Sequence, residues 1–241
     1  MSRLLCSLLT LAICCGQCWA ESKPHDFGRW DKEIQAFESQ DREHPPQAGG
    51  VLFVGSSTIR LWNTQETLPG LNVVNRGFGG SEMIDSAHFA ERIIIPHRPK
   101  VILVYAGSND IAKGVRECEI LANFDQLVAT VHAQLPETEI VFMSVKPTRK
   151  RWPLIHHVRA TNALIEARCL DTAHLHFLNV YPYMLNAEGE PEVKWLAKDG
   201  LHLNPTGYVH LSEVVRPVIE GLLSGSLKEE IPAAVPAAAG Q

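Results

Sequence analysis

The chain has 241 residues, 45% of them hydrophobic and 20% charged, an ordinary globular composition at a length suited to one α/β domain. Its 22 basic and 27 acidic residues give a formal charge of -5, and no basic run exceeds the short Arg149-Lys150-Arg151. The electrostatic footprint of a nucleic-acid binder is therefore missing.

The first element in chain order is not part of a fold. Met1-Ser2-Arg3 is a short positive start, Leu4 to Cys15 is almost wholly apolar, and Cys18-Trp19-Ala20 ends on a small residue. This is the layout of a secretory signal peptide over residues 1–20, with cleavage after Ala20. The apolar stretch is short for a membrane span, so no stable span is expected after cleavage; an uncleaved anchor is the alternative. The predicted location is secreted or periplasmic. Cleavage removes Cys6, Cys14, Cys15 and Cys18 and leaves Cys118 and Cys169, as one disulfide or as two buried thiols.

Residues 21–227 read as one domain. A helix is expected around Trp30–Ser39, followed by a polar loop up to Gly50. Five short apolar runs follow: Val51–Val54, Asn72–Asn75, Val101–Tyr105, Ile140–Ser144 and Leu175–Val180. Most are β-branched and nearly continuous, as in strands covered on both faces. Between and after them lie stretches with helical spacing: Ser81–Arg92, Arg116–Gln134, Val158–Cys169 and Pro205–Leu223. The last opens on Asn204-Pro205, a cap followed by proline at the first helical position. Strands alternating with helices imply a parallel sheet with helices on both sides. From about Lys228 to Gln241 the alanine- and proline-rich tail is expected to be disordered.

The strand ends carry the chemistry. The first ends in Gly55-Ser56-Ser57, the second runs into "NRGFGGSE", the third into "AGSND", and "KDGLHLNPTGY" precedes the last helix. Ligands in such sheets sit outside the carboxyl ends of the strands. A serine hydroxyl is a weak nucleophile that needs an adjacent base. His202 can serve if Asp199, three residues earlier, accepts its other N–H. The oxyanion of an acyl-transfer intermediate needs preorganised donors. Candidates are the nucleophile's own N–H, a glycine N–H in Gly77–Gly80, and the Asn109 amide.

These blocks resemble the SGNH hydrolases, also called the GDSL esterase/lipase family. The counterparts are Gly55-Ser56-Ser57, Gly80 within "GFGGSE", "GSND" at Gly107–Asp110 and "DGLH" at Asp199–His202, in the family's order over about residues 50 to 222. The resemblance implies a three-layer α/β/α, flavodoxin-like fold with a five-stranded parallel sheet. It implies a serine esterase in which Ser57 is the nucleophile, His202 the base and Asp199 its partner. Ser57, Gly80 and Asn109 form the oxyanion hole, with no metal and no organic cofactor. Small acyl groups, as on acetylated carbohydrates or other small molecules, are the expected substrates; lipid esters and thioesters stay open, as does the oligomeric state. One residue departs: Ser56 stands where the family has Asp, and is expected to be a local hydrogen-bonding residue.

Plainer readings stand beside these. Ser57 could cap a helix, Asn109-Asp110 could be an Asx turn, and Asp199 could cap a turn. Gly77–Gly80 lacks the lysine-serine of a phosphate loop. His174 and His176 alternate on a strand and could meet a metal, but no further ligand is evident. Trp152 and Trp195 could line an acyl or sugar pocket or simply pack. A carbohydrate-binding protein that kept the fold and lost the chemistry, or a flavodoxin-like cofactor binder, are the rivals.

Overall fold

The computed structural model describes residues 24–170 and 172–227. The expected signal peptide and the C-terminal tail lie outside these residues. Five parallel strands form one sheet: β1 (Val51–Gly55), β2 (Val73–Gly77), β3 (Val101–Tyr105), β4 (Glu139–Met143) and β5 (Leu175–Leu178). Their spatial order is β2-β1-β3-β4-β5. That is the flavodoxin-like doubly wound order, and its switch point lies between β1 and β3. The α/β/α prediction thus holds, and each strand falls within two residues of its predicted run.

Nine α-helices lie among the described residues: α1 (Asp31–Glu43), α2 (Ser57–Arg60), α3 (Thr64–Thr67), α4 (Met83–His88), α5 (Ala90–Ile93), α6 (Ser108–Ala112), α7 (Glu117–Gln134), α8 (Ile155–Leu170) and α9 (Pro205–Ser224). None is long and apolar enough to cross a membrane.

Side chains alternate across the sheet into two cores. Leu52, Val54, Ile102, Val104, Ile140 and Phe142 pack with residues of α1, α4, α5, α7 and α8 on one face. Val51, Phe53, Leu103, Val141 and Met143 pack with Leu211, Val215 and Ile219 of α9 on the other. Both faces being covered, every residue of β1 and β3 is buried, and this is why the runs do not alternate. Each large apolar side chain of β1 contributes roughly 1.5–3 kcal/mol by leaving water.

One predicted helix differs in detail. The single helix expected over Ser81–Arg92 is two short ones, broken at Phe89, whose ψ of 2 leaves the helical range. Its ring is buried against Phe27 and Phe78, so the apolar spacing continues while the backbone turns. The expected cap on α9 is present: Asn204 Oδ1 accepts the Gly207 N–H at 2.8 Å and Pro205 occupies the first turn. Cys118 and Cys169 are free thiols, the first exposed, the second buried with its pKa pushed up to about 12 by desolvation.

Candidate active site

The register of the sheet brings the first three blocks together. Gly55 pairs with Gly77 on one side and with Tyr105 on the other, so β1, β2 and β3 end level. The chain leaves all three strands at one rim, on either side of the switch point. Two glycines make this possible. A side chain on Gly55 would put its Cβ 2.0 Å from the Tyr105 carbonyl oxygen, at a φ of +139. One on Gly77 would meet the Arg60 backbone nitrogen at 2.2 Å. The turn that carries Ser57 is thus wedged between its neighbouring strand ends, and no Cβ fits there.

Ser56 takes the N-cap position of α2 in an extended conformation, and Ser57 is the first helical residue. The Ser56 N–H donates to Tyr105 O at 3.0 Å, which ties the turn to β3. Its hydroxyl has no hydrogen-bond partner among the described residues, so the local bonding expected of Ser56 is made by its backbone rather than its side chain. Nor does Ser57 cap the helix. Its Oγ lies 3.0 Å from His202 Nε2, a residue 145 positions later.

The loop before α9 delivers that histidine. His202 Nδ1 lies 2.5 Å from Asp199 Oδ2. Asp199 Oδ1 accepts the N–H of Leu201 at 2.9 Å and of His202 at 3.0 Å. The turn cap considered as the plain reading of Asp199 is present, and it is the device that aims the carboxylate at the ring. The Leu201 N–H, then the His202 ring and N–H, hold the Asp199 carboxyl well below the usual carboxylate range. It is therefore an anion at any working pH, and it fixes Nδ1 as the protonated ring nitrogen, leaving Nε2 to face the serine as an acceptor.

Asn109, on α6 just after β3, borders the same cleft as Ser57 and His202. Its Nδ2 donates to Ser81 O at 2.9 Å, and its Oδ1 accepts from Arg151 Nη2 at 2.7 Å. One amide hydrogen is left for a ligand. The Ser57 N–H, in the first turn of α2, donates to no protein group among the described residues, and neither does the Gly80 N–H. Gly80 stands at a φ of +83, with its carbonyl accepting from Arg29 Nη2 at 2.9 Å. It does not line the cleft itself; its neighbour Ser81 is the residue that touches Asn109.

Two residues at this rim, Arg151 and Lys146, were given no role in the sequence reading, and Asp110 was read there only as part of its block or of an Asx turn. Arg151 holds Ser108 Oγ as well as Asn109. Lys146, just past β4, lines the cleft while almost wholly buried. Asp110 anchors α6 to α4: its Oδ1 accepts the Met83 N–H at 3.0 Å, Oδ2 has no partner, and burial, with Glu82 and Asp85 nearby, pushes its pKa up to about 6. The run Arg149–Arg151 was the available signal for Arg151, but composition gives no hint that one arginine turns inward.

The other singled-out residues lie elsewhere. His174 and His176 both pair with Glu139, at 3.1 and 2.7 Å. Trp195 stacks on His210 with centroids 4.4 Å apart, while Trp152 and Arg149 line a neighbouring groove of about 690 Å³, open solvent included.

The model of the GDSL-like lipase/acylhydrolase family matches residues 60–209 of the chain. The chain belongs to the GDSL-like lipase/acylhydrolase family. The matched span includes Gly80, Asn109, Asp199 and His202 and begins just after Ser57. This GDSL-family chain also shares its fold with solved structures. One is a protein of Streptococcus pneumonia provisionally described as a platelet activating factor, at 22% identity, TM-score 0.72, and 80% of this chain against 94% of that one. A GDSL-like lipase of Bacteroides thetaiotaomicron gives 20% identity and TM-score 0.65, with 81% and 97% covered. A family 3 carbohydrate esterase of Clostridium thermocellum gives 13% and 0.60, with 75% and 99% covered. No curated protein matches the chain. Membership of the GDSL-like lipase/acylhydrolase family makes the chain a hydrolase of the ester-cleaving class.

Proposed function

We propose that this GDSL-family protein is a serine esterase that cleaves carboxylic esters of small acyl groups through an acyl-enzyme. The observation that carries the reading is the unbroken chain of contacts from Ser57 Oγ to His202 and on to Asp199. Ser57 attacks the ester carbonyl as His202 Nε2 takes its proton, and the imidazolium so formed is stabilised by Asp199. The oxyanion is met by the Ser57 N–H and the free amide hydrogen of Asn109, the two expected donors that border the cleft. His202 then returns the proton to the leaving alcohol. Water hydrolyses the acyl-enzyme by the same route, so no cofactor takes part.

The cleft supports the choice of a small acyl group. It encloses only about 220 Å³, open solvent included, below the usual size of a small-molecule pocket. A long acyl chain has nowhere to lie within it. The named activity of fold neighbours, carbohydrate esterase and acetylxylan esterase, points the same way. The residues 1–20 argue that the enzyme works in the secreted or periplasmic space.

The test is hydrolysis of p-nitrophenyl acetate by the parent and by Ser57→Ala, with labelling by a serine-directed phosphonate. Turnover and labelling are expected in the parent and should vanish together in the variant. Labelling that survives would reassign the nucleophile, and an inactive parent would favour the carbohydrate-binding rival.

A further inference from the structure

Lys146 is a cation without a counter-charge. Only 4% of the residue is exposed. Its ammonium donates to Thr58 Oγ1 at 3.2 Å and to Tyr105 Oη at 3.3 Å, both neutral and both long. Arg151 repeats the pattern at the other side of the same cleft, with Ser108 Oγ and Asn109 Oδ1 as its partners. No carboxylate lies within 4.0 Å of either cation among the described residues.

The nearby acids are engaged elsewhere. Glu82 pairs with Lys113, Asp85 with His25 and Asp199 with His202. Asp110 is close enough for Arg151 to feel but makes no ion pair with it. Holding a buried and a half-buried like charge in one cleft without an ion-pair partner is costly, and a polar hydroxyl repays little of the lost hydration. A substrate that supplies the missing negative charge recovers that cost on binding.

We propose that the ester hydrolysed here carries a carboxylate or phosphate on its alcohol half, received between Lys146 and Arg151. The cleft is too small for that anion and a long acyl group together. Arg149 and Trp152, which flank Arg151 in the chain, line the larger groove, and the alcohol half is assigned to it. The substrate class is then the acetyl ester of an acidic alcohol: a hydroxy acid, a hexuronic acid or a sugar phosphate. This rests on the esterase reading above and names the substrate of that site.

The experiment separates the two. Binding is measured by calorimetry with Ser57→Ala, which cannot turn over the ligand. The probes are an acetylated methyl hexuronoside against its neutral methyl ester, and an acetylated hexose phosphate against the acetylated hexose. The charged member of at least one pair should bind about 10- to 100-fold more tightly, the usual worth of hydrogen bonds to a charged group. In the parent, kcat/KM should favour the same member. Lys146→Met should collapse that ratio, and Lys146→Arg should retain most of it. Equal binding of charged and neutral members overturns the inference, even if p-nitrophenyl acetate is cleaved normally. If Lys146→Met does not fold, the preference of Ser57→Ala and of Lys146→Arg still decides. Hydrolysis that persists in Ser57→Ala sinks the esterase mechanism instead, whatever the charge preference.

Discussion

Truncating Asn109 to alanine isolates the oxyanion contact. The side chain is held on both sides, by Ser81 O at 2.9 Å and Arg151 Nη2 at 2.7 Å, so its free amide hydrogen is preorganised before substrate arrives. Removing one such donor costs about 3–4 kcal/mol of transition-state stabilisation, or about 10²–10³ in kcat. The same change strips Arg151 of one acceptor and Ser81 of one donor, costing roughly 2–4 kcal/mol of folding stability. A domain this size should stay folded in the cold. Steady-state rates on p-nitrophenyl acetate, a neutral ester, read kcat without involving Lys146, and urea unfolding reads stability. Arg151→Met should lower kcat by about tenfold, because it loosens Asn109 rather than removing it. Since Arg151 acts here through Asn109, the double variant should be little worse than Asn109→Ala alone. A kcat within about threefold of the parent for Asn109→Ala, or additive losses in the double variant, would refute this placement of the oxyanion.

Asp110 predicts a stability effect with a definite sign. Its folded pKa, about 6, lies above the reference value of 3.8, so the folded state binds the proton more tightly in between. Its contribution is fully present below about pH 4 and is lost as pH rises through about 6, a fall of about 3 kcal/mol at 1.36 kcal/mol per unit. Asp110→Asn should flatten this fall and be the more stable protein at pH 7.5, as read by urea melts at pH 4.5 and 7.5; a parent that gains on the variant as pH rises reverses the argument. Gly55→Ala forces a Cβ to 2.0 Å from Tyr105 O at a positive φ. It should cost about 2–6 kcal/mol and lower the melting temperature, while an unchanged melt would mean that the turn can relax.

Apolar continuity in the runs of the three central strands came from burial on both faces of the sheet, and so strands, sheet type and class were legible in the chain alone. The motifs were legible for a related reason. A strand end that must admit a neighbouring backbone takes glycine, and the chemistry takes Ser, Asn, Asp and His, so each block carries its own local signature. Asp199 and His202 needed little more, since three residues suffice to close their turn.

What the chain could not disclose is every contact made between distant segments through orientation. Whether residue 57 capped its helix or reached a ring 145 positions away depended on how the loop before α9 folds back over the sheet. Phe89 broke a helix whose apolar spacing ran on unchanged. Nothing in the sequence marked Lys146 or Arg151 as facing inward, because a linear pattern records a residue's type and not the direction in which a loop turns it. Burial without a carboxylate partner is a property of packing in three dimensions, and only the tertiary structure decided that these two cations face the cleft.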